Sequence, residues 1–366
     1  MKIKRCYNLR MAPSFVRVTV RDMDGYTPGE QPGVGERVVK LNTNENPYPP
    51  SPAVVRAIQE IEPEMLRRYP NPTADVFRHA AAKVLGVTHD MILAGNGSDD
   101  ILTIATRTFC SPGDALAYPD PTYSLYSVLA KLQDAKVAEI PWDEDFALPI
   151  EKLLEAKPQA IYVANPNAPT GTFVPPAKIA ELAKAFKGLV LVDEAYADFA
   201  EDNCLALVHK HENIVVSRTF SKAYSLAGMR FGFAVGQPHV IREMMKVKDS
   251  YNVDAIAMTA ATAAIADQDY ARERWEQIKS ERARVTDELT KLGWSVLPSQ
   301  ANFIFAAAPD GRGRDAYVGL KAQGILVRFF DKPGLRDKIR ITIGQSQENN
   351  ALLGGIRSLA ATEKAA

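Results

Sequence analysis

One lysine, Lys222, stands among hydroxyl and small residues in the stretch Thr219-Phe220-Ser221-Lys222-Ala223-Tyr224-Ser225-Leu226-Ala227-Gly228-Met229-Arg230. The apolar run Ile214-Val215-Val216 before it reads as a buried strand, so the lysine comes just after that strand ends. Such a lysine can form a Schiff base with an aldehyde, while Thr219, Ser221 and Arg230 hold a phosphate nearby. The ordinary alternative is a solvated loop lysine, because lysine is rarely buried.

Four other groups offer matching chemistry. Gly95-Asn96-Gly97-Ser98-Asp99-Asp100 suits a phosphate cradle, with glycines for close backbone approach and first-turn N–H groups facing the anion. The competing reading is a plain helix cap by Ser98 or Asp99. Asp193 ends the run Leu189-Val190-Leu191-Val192 and needs a cationic partner if buried; a protonated pyridine nitrogen is one, and capping the next helix is the alternative. Tyr123 offers an aromatic face for a cofactor ring, or simply packing. Arg340, between alternating apolar residues in Lys338-Ile339-Arg340-Ile341-Thr342-Ile343, can fork onto a carboxylate or phosphate, or lie exposed on a strand. A cradle, a ring face, a carboxylate for a pyridinium and a Schiff-base lysine are together what pyridoxal 5'-phosphate (PLP) requires.

These groups need elements to bring them to one place. Strand patterns occur at Met91-Ala94, Ala115-Tyr118, Val137-Ile140, Ala160-Ala164, Leu189-Val192, Ile214-Ser217 and Phe231-Val235. Helical periods fall at Ile101-Phe109, Tyr123-Leu132, Ile150-Ala156 and Ile179-Phe186. Near-continuous apolar strands alternating with helices predict an α/β fold, a three-layer, mostly parallel sheet covered on both faces. Ligands of such sheets sit beyond the carboxyl ends of the strands. Five polar loops fall there, after Ala94, Tyr118, Ala164, Val192 and Ser217.

Before this region, Ser51-Pro52 starts a helix that the pattern carries to Arg67-Arg68-Tyr69-Pro70. After it, a long helix over Ala271-Leu292 buries Trp275, Ile278, Val285, Leu289 and Leu292, with Arg282 interrupting the stripe. Strand patterns at Asn302-Ala306, Ile325-Arg328 and Ile339-Ile343 predict a smaller α+β domain. The expected division is an arm over 1–45, a large domain over 46–255 and a small domain over 256–366.

The 366 residues suggest about two domains. With 44 basic and 44 acidic residues, the balance argues against a nucleic-acid or membrane-surface binder. Cys6, Cys110 and Cys204 have neither metal-ligand nor disulfide-framework spacing, so no metal is expected. Met1 to Arg21 lacks a continuous apolar region, and Ala255 to Ala266 is too short to span a bilayer, which together predict a cytoplasmic protein.

The chain resembles the fold-type-I PLP aminotransferases, and within their class II branch those that act on histidinol phosphate. The resemblance runs over nearly the whole chain and is carried by Leu41-Asn42-Thr43-Asn44-Glu45-Asn46-Pro47-Tyr48, Arg68-Tyr69-Pro70, Asp193-Glu194-Ala195-Tyr196, the lysine stretch and Ile339-Arg340-Ile341-Thr342-Ile343-Gly344. Tyr26-Thr27-Pro28-Gly29 is similar to the Tyr-x-Pro-Gly element of that branch.

The resemblance implies that Lys222 holds PLP covalently and shuttles a proton between the substrate's α-carbon and the cofactor. Asp193 would keep the pyridine nitrogen protonated, Tyr196 would hydrogen-bond the phenolic oxygen and Tyr123 would stack on the ring. The Gly97-Ser98-Asp99 backbone, Thr219, Ser221 and Arg230 would bind the phosphate, joined by Tyr69 from the other subunit of a homodimer. Arg340 and Arg328 would take the substrate's anionic end, with Tyr26 and Asn44 lining the pocket.

One position departs from the pattern: Ala168 stands where the family usually has an asparagine at the phenolic oxygen, and Asn167 lies one residue earlier. A shifted loop that lets Asn167 take the role is the expectation, with Tyr196 acting alone as the alternative. The implied reaction is transamination between histidinol phosphate and 2-oxoglutarate. An aromatic amino acid aminotransferase and a phosphothreonine decarboxylase are the competing readings within PLP chemistry, and a PLP-binding regulator without turnover is the one outside it.

Overall fold

Strands rich in Val, Ile and Leu on both faces cannot leave either face in water, and the chain solves this by placing them in the middle of a layered sheet. A computed structural model describes residues 15–33 and 35–365. Residues 1–14, with Cys6 and most of the basic amino-terminal stretch, lie outside the described residues.

In chain order the strands are β1 Val39–Lys40, β2 Ile92–Gly95, β3 Ala115–Asp120, β4 Lys136–Pro141, β5 Ala160–Ala164, β6 Leu189–Asp193, β7 Ile214–Thr219, β8 Gly232–Val235, β9 Ser295–Val296, β10 Phe303–Ala307, β11 Ile325–Leu326, β12 Arg328–Phe329 and β13 Lys338–Thr342. Seven of them form the main sheet in the order β2-β8-β7-β6-β5-β3-β4. Strand β8 runs antiparallel to both its neighbours, and the other pairings are parallel. β5, β6 and β7 are buried throughout, each Val, Leu or Ile contributing roughly 1.5–3 kcal/mol by leaving water.

Two cores cover this sheet. On one face Phe77, Phe220, Phe231 and Val216 pack with Ala257, Ala260 and Ala261 of the Ala255–Ala266 helix. On the other, Leu102, Tyr126, Tyr162 and Met244 pack with Leu116 and Leu191. A third core joins Ile278, Val285 and Leu289 of the Gln268–Lys291 helix to Ile304, Ile341 and Ile356 around the sheet β12-β13-β10-β9. Leu41 and Ala223 belong to this third core, so the amino-terminal segment and the lysine loop are packed into it.

Three local differences from the sequence expectation have physical causes. The helix begun at Pro52, capped by the Ser51 hydroxyl, stops at Gln59, and Pro63 starts a separate turn, Pro63–Arg67, because proline has no N–H to continue the ladder. The Asp75–Leu85 helix was not foreseen; it starts after a left-handed Ala74 with no side-chain cap to announce it. The pattern over Ile325-Arg328 splits in two, β11 pairing with β1 and β12 with β13. Arg282, the odd residue on the long helix, donates to the carbonyls of Phe199 and Ala301, so its charge ties that helix to two loops.

Candidate active site

Pairing register aligns the phosphate-binding candidates. Gly95 ends β2, Thr219 ends β7, and both lie opposite Gly232 at the start of β8. Because β8 is reversed, Arg230 just before it reaches the same sheet edge as the loops after β2, β6 and β7. A side chain at Gly232 would put its Cβ 2.5 Å from the Ser98 nitrogen, so only glycine lets the cradle backbone close on the strand. The Ser98–Phe109 helix begins behind Gly97, whose φ of 86° and ψ of 166° are open to glycine and which has no side chain to cap the first-turn N–H groups. Those groups are left for an anion.

Arg230 donates to Ser221 Oγ at 3.1 Å and to Asp99 Oδ2 at 3.3 Å, and the Thr219 hydroxyl donates to Ser221 Oγ at 3.1 Å. Thr219, Ser221, Arg230 and the Gly97-Ser98-Asp99 turn thus form one ring of donors. Tyr123 closes its side: the phenol donates to Asp99 Oδ1 at 3.1 Å, and its ring lies edge-on to Tyr26 and Tyr126, each at 5.7 Å.

Asp193 sits at the buried end of β6. Its Oδ2 accepts from Tyr126 at 2.9 Å, whereas Oδ1 is buried without a protein partner. Burial pushes this carboxyl up to about 7 despite the Tyr126 bond. Tyr126, on the Leu125–Leu132 helix, is not among the residues singled out in the sequence; its place in a helical period is the one signal there, and only the fold shows that its hydroxyl meets Asp193. Burial likewise raises Tyr196, with Arg340 and Asn44 working against the rise. Tyr196 takes a hydrogen bond from Asn44 Nδ2 at 2.9 Å and lies edge-on to Phe303.

Lys222 donates to the Thr43 carbonyl at 2.9 Å. Burial and, next, the Arg340 charge lower its amine to about 8. Asn46 holds the backbone of this loop, donating to the carbonyls of Lys222 at 3.0 Å and Ala223 at 3.2 Å. Thr43 and Asn46 lie inside the Asn-rich segment read from the sequence, but their part in holding Lys222 was not foreseen.

Arg328 and Arg340 are direct cross-strand partners on β12 and β13. Arg340 reaches the Asn42 carbonyl at 3.1 Å and lies over Phe303 and Phe330, with its Nε buried and unpartnered. Arg328 donates to the carbonyls of Pro28 and Thr27, the residues after Tyr26. Among the described residues neither guanidinium is paired with a carboxylate. Burial, with the Arg328 charge adding to it, lowers Arg340, and two facing guanidiniums are a receptor for an anion.

Asn167 lies differently from the expectation, and Tyr69 is at the surface. The carboxamide of Asn167 is committed to its own neighbourhood, accepting from Thr122 at 2.7 Å and donating to Pro121 at 3.0 Å and Thr170 at 2.8 Å. Tyr69 is 80% exposed and stacked on Tyr251 at 4.4 Å, on the surface of the chain. Among the described residues no cluster of His, Cys, Asp or Glu suits a metal ion, and no helix is long and apolar enough to cross a membrane.

Residues 36–356 match the family described as aminotransferase class I and II. The chain belongs to that family. The aminotransferase is 46% identical to histidinol-phosphate aminotransferase 1 of Trichormus variabilis over 94% of its own length and 99% of the relative's. It is also 46% identical to the histidinol-phosphate aminotransferase of Rhodopirellula baltica, over 92% and 93% of the two chains. Its fold is similar to the crystal structure of histidinol-phosphate aminotransferase from Sinorhizobium meliloti in complex with pyridoxal-5'-phosphate, with a TM-score of 0.86 and 26% identity over 95% of this chain and 99% of that one.

Proposed function

We propose that this aminotransferase uses PLP to exchange the amino group of histidinol phosphate with 2-oxoglutarate, giving imidazole-acetol phosphate and glutamate in histidine biosynthesis. The observation that carries the reading is the unpaired Arg328–Arg340 receptor on the same pocket as a lysine whose amine is lowered to about 8. Guanidinium forks take a phosphate or a carboxylate alike, so one receptor serves histidinol phosphate in one half-reaction and glutamate in the other. The relatives' activity supplies the choice of amine.

The residues fit PLP by their own chemistry. Asp193 Oδ1, buried and unpartnered, is matched by a ring N–H, and a cation there favours the charged carboxylate that burial alone disfavours. The donor ring of Thr219, Ser221, Arg230 and the Gly97-Ser98-Asp99 backbone would hold the phosphate, and Tyr123 would flank the pyridine. When bound, PLP supplies the electron sink that weakens the bond to the proton on the amine-bearing carbon. Lys222 is the group that takes this proton and returns it, its amine kept near neutrality by burial and by Arg340. Arg328 and Arg340 orient the anionic end so that this proton faces the lysine.

The reading includes a homodimer that buries the exposed Met65, Leu66 and Tyr69, with Tyr69 serving the partner subunit's phosphate. It divides the chain into an arm over 1–45, a PLP-binding domain over 46–255 and a smaller domain over 256–366. It places the enzyme in the cytoplasm, where the buried thiols Cys110 and Cys204 stay reduced.

Single-turnover reactions of the PLP-loaded protein with glutamate, histidinol phosphate, phenylalanine and phosphothreonine test the substrate. Glutamate and histidinol phosphate should both convert the cofactor to its amine form, and Lys222→Ala should abolish the conversion. Phenylalanine outrunning histidinol phosphate would transfer the assignment to an aromatic aminotransferase. Carbon dioxide released from phosphothreonine would make it a decarboxylase.

A further inference from the structure

Ala168 removes an amide from the neighbourhood of Tyr196, and the structure shows where another one comes from. The Ala168 methyl is buried in a small apolar cluster with Ala301 and Phe303, against which Tyr196 packs. Asn167 has spent both its amide protons, on the Pro121 carbonyl and the Thr170 hydroxyl, so it has none to offer a cofactor's phenolic oxygen. The amide that touches the Tyr196 oxygen belongs to Asn44, 2.9 Å away and 152 positions earlier in the chain.

The orientation of that amide is determined by its surroundings. The Thr342 hydroxyl accepts the Asn44 backbone N–H at 2.9 Å, so its own proton is free to go to Asn44 Oδ1 at 3.2 Å. Nitrogen therefore faces Tyr196. The Asn302 amide donates to the Asn44 carbonyl at 3.0 Å, and the residue is buried with a φ of 58°, a left-handed conformation that asparagine tolerates. A buried asparagine held this firmly has a fixed task.

We propose that Asn44 is a positioning residue for Tyr196, donating into the phenol oxygen so that the phenol's own proton is the one offered into the pocket. It does so from the segment laced to β13, steadying the tyrosine that is left to serve the cofactor's oxygen without an amide at position 168. The inference rests on the PLP reading, in which that proton meets the cofactor's phenolic oxygen. A donor to that oxygen stabilises its anionic form, so weakening the donor raises the pH at which the loaded cofactor loses its proton. The other titratable groups facing Tyr196 are Arg340, Asp193, Tyr26 and Tyr123, and the test leaves them unchanged.

The test compares wild type, Asn44→Asp, Asn44→Ala and Tyr196→Phe, each loaded with PLP, by pH titration of the visible absorbance and by the Kd for PLP. Asn44→Asp keeps the shape and the Thr342 bond but presents an oxygen that captures the phenol proton. Its midpoint should rise by about one pH unit, toward that of Tyr196→Phe, with Asn44→Ala rising less. Its kcat should fall about tenfold, the worth of one hydrogen bond, with KM for glutamate within about twofold. A merely structural asparagine predicts the reverse order, with Asn44→Ala the worse variant and all midpoints at the wild-type value. An Asn44→Asp midpoint equal to wild type overturns the proposal, and if that variant fails to fold, an unmoved Asn44→Ala midpoint does so. A wild-type protein that stays colourless with PLP overturns the cofactor reading instead.

Discussion

Lys222 shows how much of the chemistry rests on one side chain's surroundings. A lysine at its ordinary value near 10.5 is almost wholly protonated at neutral pH, whereas one lowered to about 8 is neutral in roughly one molecule in ten at pH 7. Capture of PLP by the cofactor-free protein should therefore rise with pH around a midpoint near 8, measured by the growth of visible absorbance. Arg340→Gln removes the second cause of the lowering and should move that midpoint upward; an unchanged midpoint would leave burial as the whole cause. The sign for stability follows from the same shift. Between about pH 8 and 10.5 the unfolded chain holds the proton that the folded one has lost, so this group opposes folding at low pH and its cost fades as pH rises through that window.

At the scale of elements, the phosphate end depends on one turn and one reversed strand. Gly97→Ala forces a side chain into backbone space that is nearly closed to it, at roughly 1–3 kcal/mol, and sets its Cβ 2.8 Å from Arg230 Nη2. Arginine can swing away, but then it leaves Ser221 and the phosphate. The Kd for PLP, followed by fluorescence quenching, should weaken by about tenfold or more. Ser98→Ala, which keeps the backbone donors, should cost less, and equal losses in the two variants would show that the hydroxyl rather than the backbone carries the contact. A buried ion cluster ties β7 to the loop after β6. Arg218 bonds Glu194 Oε2 and, at 3.0 Å, Asp198 Oδ1, so three buried charges satisfy one another.

At the scale of the whole molecule, the pocket within one chain lacks any contribution from Tyr69, whose ring is stacked on Tyr251 at the surface. If each subunit lends Tyr69 to its neighbour, inactive Tyr69→Ala and Lys222→Ala chains should complement each other when coexpressed. A mixed dimer then contains one site with both residues intact, and activity should return to about a quarter of wild type for random mixing and complete loss in each parent. No recovery beyond the sum of the parents would place Tyr69 outside the shared site. Size-exclusion chromatography at several concentrations gives the accompanying test of the dimer.

The sequence by itself determined which residues are candidates for the chemistry. Lys222, Asp193, Tyr196 and the Gly97 turn each follow an apolar run, and the end of a buried parallel strand is a place a linear pattern can mark. It could not mark contacts made by packing. Tyr126 reaches Asp193 across 67 positions through its place on a helix over the sheet, and Asn44 reaches Tyr196 because its segment is tied to β13. Arg328 faces Arg340 only in the register that splits the Ile325-Arg328 run between two sheets. The expectation for Asn167 rested on adjacency along the chain, yet its amide is turned into its own loop. Strand ends are local properties of a sequence, whereas hydrogen-bond partners follow from which surfaces pack together, and that the tertiary structure alone decided.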